Sequence, residues 1–80
     1  MQIGEATRLR ILDLCQEYNI TVNRLANLSG ITQSTLNNIV SRRNKSATLS
    51  TIKKLCDGLD ITIQDYFEND LFMGLEQELQ

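Results

Sequence analysis

Eighty residues make one small domain, and the chain has no histidine, proline or tryptophan; this argues against a two-domain enzyme and excludes histidine-based catalysis or metal binding. No apolar run reaches the ~18 residues of a membrane span, and the first five residues lack the hydrophobic stretch of a signal peptide, so a cytoplasmic protein is expected. The net charge of −2 looks wrong for a nucleic-acid binder until it is divided along the chain: residues 41–56 carry five bases (Arg42, Arg43, Lys45, Lys53, Lys54) and no acid, whereas residues 57–80 carry seven acids and no base. Such asymmetry bears on partners rather than on fold.

At about 100° per residue, four segments carry a helical apolar stripe. In the first, Ile11, Leu14, Cys15 and Tyr18 fall at i, i+3, i+4 and i+7, with Thr7 one turn before. Asn19 offers it a left-handed end. The second runs over residues 21–29 with Leu25 and Ala26 inward, Thr21 as N-cap and Gly30 as the breaker. The third opens at Thr32, another N-cap, and continues to about Ser41 with Leu36 and Ile39 inward. The fourth begins at Thr48 and sets Leu49, Ile52, Leu55, Cys56 and Leu59 in a narrow arc. A fifth, short helix is marked by Thr62 and Asp65, a capping box with Asp in place of Glu or Gln, and presents Ile63, Tyr66 and Phe67. No alternation is long enough for a strand. The expected fold class is all-α, with five short helices.

In the tail, Leu71, Leu75 and Leu79 repeat at i, i+4 and i+8. Two readings stay open for residues 70–80: a turn capping the edge of the core before a frayed end, or a dimerisation helix. So short a helix needs something packed on it to hold in water.

Residues 21–41 form two short helices joined by a Gly-containing turn, the pattern of a helix-turn-helix. Ala26 supplies the small residue that lets the second helix approach the first. On the third helix, Gln33, Ser34, Asn37, Asn38 and Ser41 fall within about 140° opposite the apolar residues. That face is uncharged and rich in side chains that donate and accept, whereas a merely solvated face more often carries Glu and Lys. Asn and Gln suit the major groove, where they can bridge N6 and N7 of adenine. Arg42, Arg43 and Lys45 follow directly, and the helix starts near Thr21 and Thr48 offer unpaired amides to phosphates. Lys53 and Lys54, outside the apolar stripe, read equally well as solubilising charges or as backbone contacts.

The spacing Leu25-Ala26, Gly30-Ile31-Thr32-Gln33-Ser34-Thr35-Leu36 and Ile39 resembles the Cro and C1 repressor family, the xenobiotic-response-element-type helix-turn-helix of phage repressors and small bacterial regulators. The run from Leu49 through Leu59, with Ile61 and Asp65-Tyr66-Phe67, resembles that family's fourth and fifth helices. The resemblance covers about residues 5–69 and implies a lambda-repressor-like DNA-binding domain over residues 1–69, followed by the apolar and acidic tail. It implies base reading by Gln33, Ser34 and Asn38, with Asn37 next. It also implies contacts to the DNA backbone from Thr21, Ser41, Arg42, Arg43, Lys45 and Thr48, and binding to double-stranded DNA as a homodimer. Three positions depart from the family pattern. No glycine stands near Arg42, which leaves Asn44 to take a left-handed turn. Ala47 replaces a common Pro. Cys15 and Val40 occupy the places of an oppositely charged buried pair, so an apolar contact is expected there.

Cys15 and Cys56 lie on apolar stripes and read as small buried hydrophobes, since a cytosolic disulfide is disfavoured and two cysteines without histidine make no ordinary zinc site. No cofactor, small-molecule ligand or membrane partner is expected. The expected function is a bacterial or phage transcriptional regulator, in the first instance a repressor. The alternative is a protein-interaction module on the same fold, such as an antitoxin or a transcription-machinery adaptor. Enzymatic function comes a distant third, because no nucleophile–base pair or metal-ligand spacing is present.

Overall fold

A computed structural model describes residues 1–41 and 47–79. Five α-helices follow one another: α1 Ile3–Glu17, α2 Val22–Ser29, α3 Gln33–Val40, α4 Leu49–Leu59 and α5 Ile63–Phe67, with a 3-10 turn at Asp70–Phe72. No strand occurs among the described residues, so the fold is all-α as the sequence requires.

Threonine starts four of the five helices for one local reason. The hydroxyls of Thr21, Thr32, Thr48 and Thr62 accept from the amides of Arg24, Thr35, Thr51 and Asp65 at 3.0, 3.2, 3.1 and 3.0 Å. Each such cap contributes about 1 kcal/mol. At α5 the Asp65 carboxylate also accepts from the Thr62 amide at 3.0 Å, completing the capping box. The Thr62 amide first, and its hydroxyl second, hold the Asp65 carboxyl below its ordinary pKa. Three helices stop where the backbone turns left-handed: α1 at Asn19 (φ 54°), α2 at Gly30 (φ 66°) and α4 at Asp60 (φ 56°).

The core consists of two abutting clusters. Ile11, Cys15, Leu25, Ala26, Leu36, Ile39 and Leu55 pack α1, α2, α3 and α4 together. Leu14, Ile52, Cys56 and Tyr66 join α1 and α4 to α5, and Ala47 and Leu59 touch both clusters. Val40 packs half-buried against the cluster that holds Cys15. Both cysteines are free and buried, and burial raises both thiol pKa values, which keeps them protonated and inert.

Two anchors were not legible in the periodicity. A Cβ on Gly58 would lie 2.5 Å from Ser29 Oγ and 3.0 Å from the Leu28 carbonyl carbon and oxygen, so the missing side chain is what lets α4 meet α2 so closely. Arg10, only 7% exposed, donates from Nε to the Tyr66 carbonyl at 2.8 Å and from Nη2 to the Asp65 carbonyl at 3.1 Å. Its Nη1 meets Asp13 at 2.7 Å, and the guanidinium stands 5.9 Å from the centre of the Tyr66 ring. Arg10 therefore ties α1 to carbonyls that so short a helix as α5 leaves unpaired.

Three residues assigned inward by their period are exposed: Tyr18 (42%), Leu49 (75%) and Ile63 (39%). Tyr18 follows the last residue of α1, and Leu49 and Ile63 are the first residues of α4 and α5, where side chains lean back past the helix start. The tail does not continue as a helix. Phe72 packs on Phe67 and Tyr66, with ring centroids 4.8 and 6.0 Å apart, and Gly74 (φ 68°) then turns the chain. Beyond it the backbone lies along the start of α1: the Glu76 amide donates to the Met1 carbonyl at 3.0 Å, and Glu78 accepts from the Ile3 amide at 3.2 Å. Leu79 is left 90% exposed.

Candidate nucleic-acid interface

The α2–turn–α3 unit is held from within. Leu25, Ala26 and Leu36 are fully buried and Ile39 nearly so, while the left-handed Gly30 allows the Ile31 amide to reach back to the Ala26 carbonyl at 3.0 Å. With that side of α3 fixed against the core, the other side must face outward. Gln33, Ser34, Asn37 and Ser41 are exposed and Asn38 is half-buried, so the five polar residues do share one surface. The Ser41 hydroxyl donates back to the Asn38 carbonyl at 3.3 Å, closing the last turn. Arg24 is the one charged residue between positions 18 and 41. The surface offers hydrogen bonds rather than charge.

The amides on this surface are organised. Asn37 Nδ2 donates to Asn23 Oδ1 at 2.9 Å and to the Gln33 carbonyl at 2.8 Å. Gln33 Nε2 approaches Asn27 Oδ1 at 3.4 Å, a long contact. Asn23 and Asn27 belong to the site although they stand on α2; their i, i+4 spacing, which places both on one helix face, is the sequence signal that would have found them.

Thr21 and Thr48 are exposed at the starts of α2 and α4, and their hydroxyls accept from those helices' own amides. Thr48 also donates to Thr51 Oγ1 at 3.1 Å, so its hydroxyl is committed twice within the cap. Arg42, Arg43, Asn44 and Lys45 lie outside the described residues. Lys53 pairs with Asp57 at 2.6 Å along α4, and Lys54 is exposed on the same helix. Among the described residues no three Cys, Asp or Glu side chains gather as a metal site, and no helix is long and apolar enough to cross a membrane.

A family model for the Cro/C1-type helix-turn-helix DNA-binding domain matches residues 10–69. The chain belongs to this family. The match begins at Arg10, midway along α1, takes in all of α2 to α5 and stops just before the 3-10 turn. Membership carries DNA binding and transcriptional regulation as the general role of the domain, and it makes the α2–α3 pair the helix-turn-helix itself. No curated protein and no solved structure gives a significant match.

Proposed function

We propose that this Cro/C1-type domain is a sequence-specific repressor that lays α3 in the major groove of double-stranded DNA. The observation that carries the reading is the uncharged amide and hydroxyl face of α3, exposed on the outer side of a helix whose inner side is locked into the core. Gln33, Ser34 and Asn38 read base edges, with Asn37 beside them. A Gln or Asn that donates and accepts at once discriminates adenine by about 1–3 kcal/mol, which gives an A·T-leaning half-site.

Affinity comes from around that face. Ser41, Arg42, Arg43 and Lys45 follow α3, and the first-turn amides beside Thr21 and Thr48 point away from their helices toward phosphates. Phosphate contacts of this kind orient the protein without reading sequence. The acids of residues 57–80 belong on the side away from the DNA, where repulsion is least.

Two copies bind half-sites about one helical turn (~34 Å) apart. Exposed Ile3 and Leu49 flank an apolar groove of about 110 Å³ also lined by Ala47, Ile52 and Phe67, which supports pairing through the α4–α5 side. The protein works in the cytoplasm without cofactor or small-molecule ligand.

Selection from random duplexes tests the reading. The wild type should enrich a two-fold symmetric site, and Arg42→Ala with Arg43→Ala should weaken all sequences alike while lowering the salt slope by about 1 per lost phosphate contact. A wild type that enriches no sequence and binds equally at low and high salt refutes it.

A further inference from the structure

Asn37 and Gln33 look equivalent in sequence, but their side chains are committed differently. A side-chain amide has two N–H donors and one carbonyl acceptor. Both Asn37 donors are taken, one by Asn23 Oδ1 at 2.9 Å and one by the Gln33 carbonyl at 2.8 Å. Its Oδ1 is the only polar atom left to turn outward. Gln33 has at most one donor engaged, and that at 3.4 Å, so it keeps an N–H and its Oε1 together.

Bridging adenine requires one acceptor for N6–H and one donor for N7. Gln33 can make that bridge and Asn37 cannot. An acceptor alone takes either adenine N6–H or cytosine N4–H. We infer that Asn23, on α2, is a specificity-determining positioning residue: by holding the Asn37 amide through its nitrogen, it makes Asn37 an acceptor-only reader that admits adenine and cytosine alike. This inference rests on the proposed reading of α3 as the base-reading helix. The bridge is exposed to water and so adds little to stability; its effect is on which atom of Asn37 meets the DNA.

Two measurements test it, on the full chain. In the free protein, the Asn37 side-chain amide resonances should move on Asn23→Ala and stay in place on Asn27→Ala. In selection from random duplexes, Asn37→Ala identifies the base pair that Asn37 faces, as the position whose preference it erases. At that position the wild type should accept adenine and cytosine within about twofold. Asn23→Ala frees a donor and should raise adenine over cytosine about fivefold or more, leaving the other positions unchanged. Asn23→Asp keeps the acceptor and should keep the wild-type preference, with lower affinity overall from its added negative charge. Exposed helix positions of this kind tolerate alanine, so misfolding does not confuse the result.

If the wild type enriches a site but Asn37→Ala erases no preference, or Asn23→Ala leaves the ratio unchanged, the inference is overturned while the DNA-reading proposal stands. If the wild type enriches no site, both fall, and the amide resonances still report whether the bridge forms.

Discussion

The chain uses side-chain hydrogen bonds in two opposite ways, at the surface of α2–α3 and beneath α5. At the surface, Asn23, Asn27, Gln33 and Asn37 tie two helices together in full contact with water. Beneath α5, Arg10 reaches carbonyls 55 and 56 residues away in a nearly dry site. An exposed bond exchanges for water at little cost, whereas a buried charge that loses its partners costs its desolvation. Orientation is separated from stability: the surface ties set which side-chain atoms stay free, and the buried tie keeps the small fold closed.

Breaking the buried side should have the largest effect. Arg10→Ala strips α5 of its two guanidinium bonds and should cost about 3 kcal/mol in urea unfolding, while the selected DNA sequence stays the same at a temperature where the variant is folded. Gly58→Ala comes next. Ser29 Oγ can swing aside, but the Leu28 backbone at 3.0 Å cannot, so α2 must shift away from α4 at a cost of about 2 kcal/mol. Because α2 carries the amide ties, Gly58→Ala should weaken sequence preference as well as stability, which thermal melting and duplex selection together would show. On the other side of the comparison, Gln33→Ala and Asn23→Ala should each change unfolding free energy by less than about 0.5 kcal/mol. A loss comparable to that of Arg10→Ala would erase the distinction.

The smallest effect concerns acid. The Asp65 pKa is lower in the folded chain than in the unfolded one, so its contribution is present above the ordinary carboxylate value (~3.9) and is lost as pH falls through the folded value. Near-ultraviolet dichroism of Tyr66 and its neighbours should show α5 loosening below that range, and Asp65→Asn should remove this part of the acid response.

What the sequence made legible was local. A threonine three residues before its amide partner can be read directly, which is why all four N-caps and the capping box are where the spacing put them. The inner residues of α2 and α3, and hence the polar face opposite them, follow from period and from Ala26 and Gly30. Periodicity fails at helix ends, where Leu49 and Ile63 have a stripe position but no neighbour to cover them. It fails in the tail, where the i, i+4 leucines invite a helix that Gly74 turns aside. It is silent on Arg10, whose carbonyl partners stand 55 and 56 residues away. The Asn23–Asn37 bridge spans two helices, so no single periodic face contains it.

Whether the α3 face reads sequence is decided by measuring the affinity of wild type and Gln33→Ala for the selected duplex and for a scrambled duplex of equal length and salt. Gln33→Ala should lose about 1–3 kcal/mol on the selected site and almost nothing on the scrambled one, with an unchanged melting temperature. Equal losses on both duplexes, or a wild type that does not distinguish them, would contradict it.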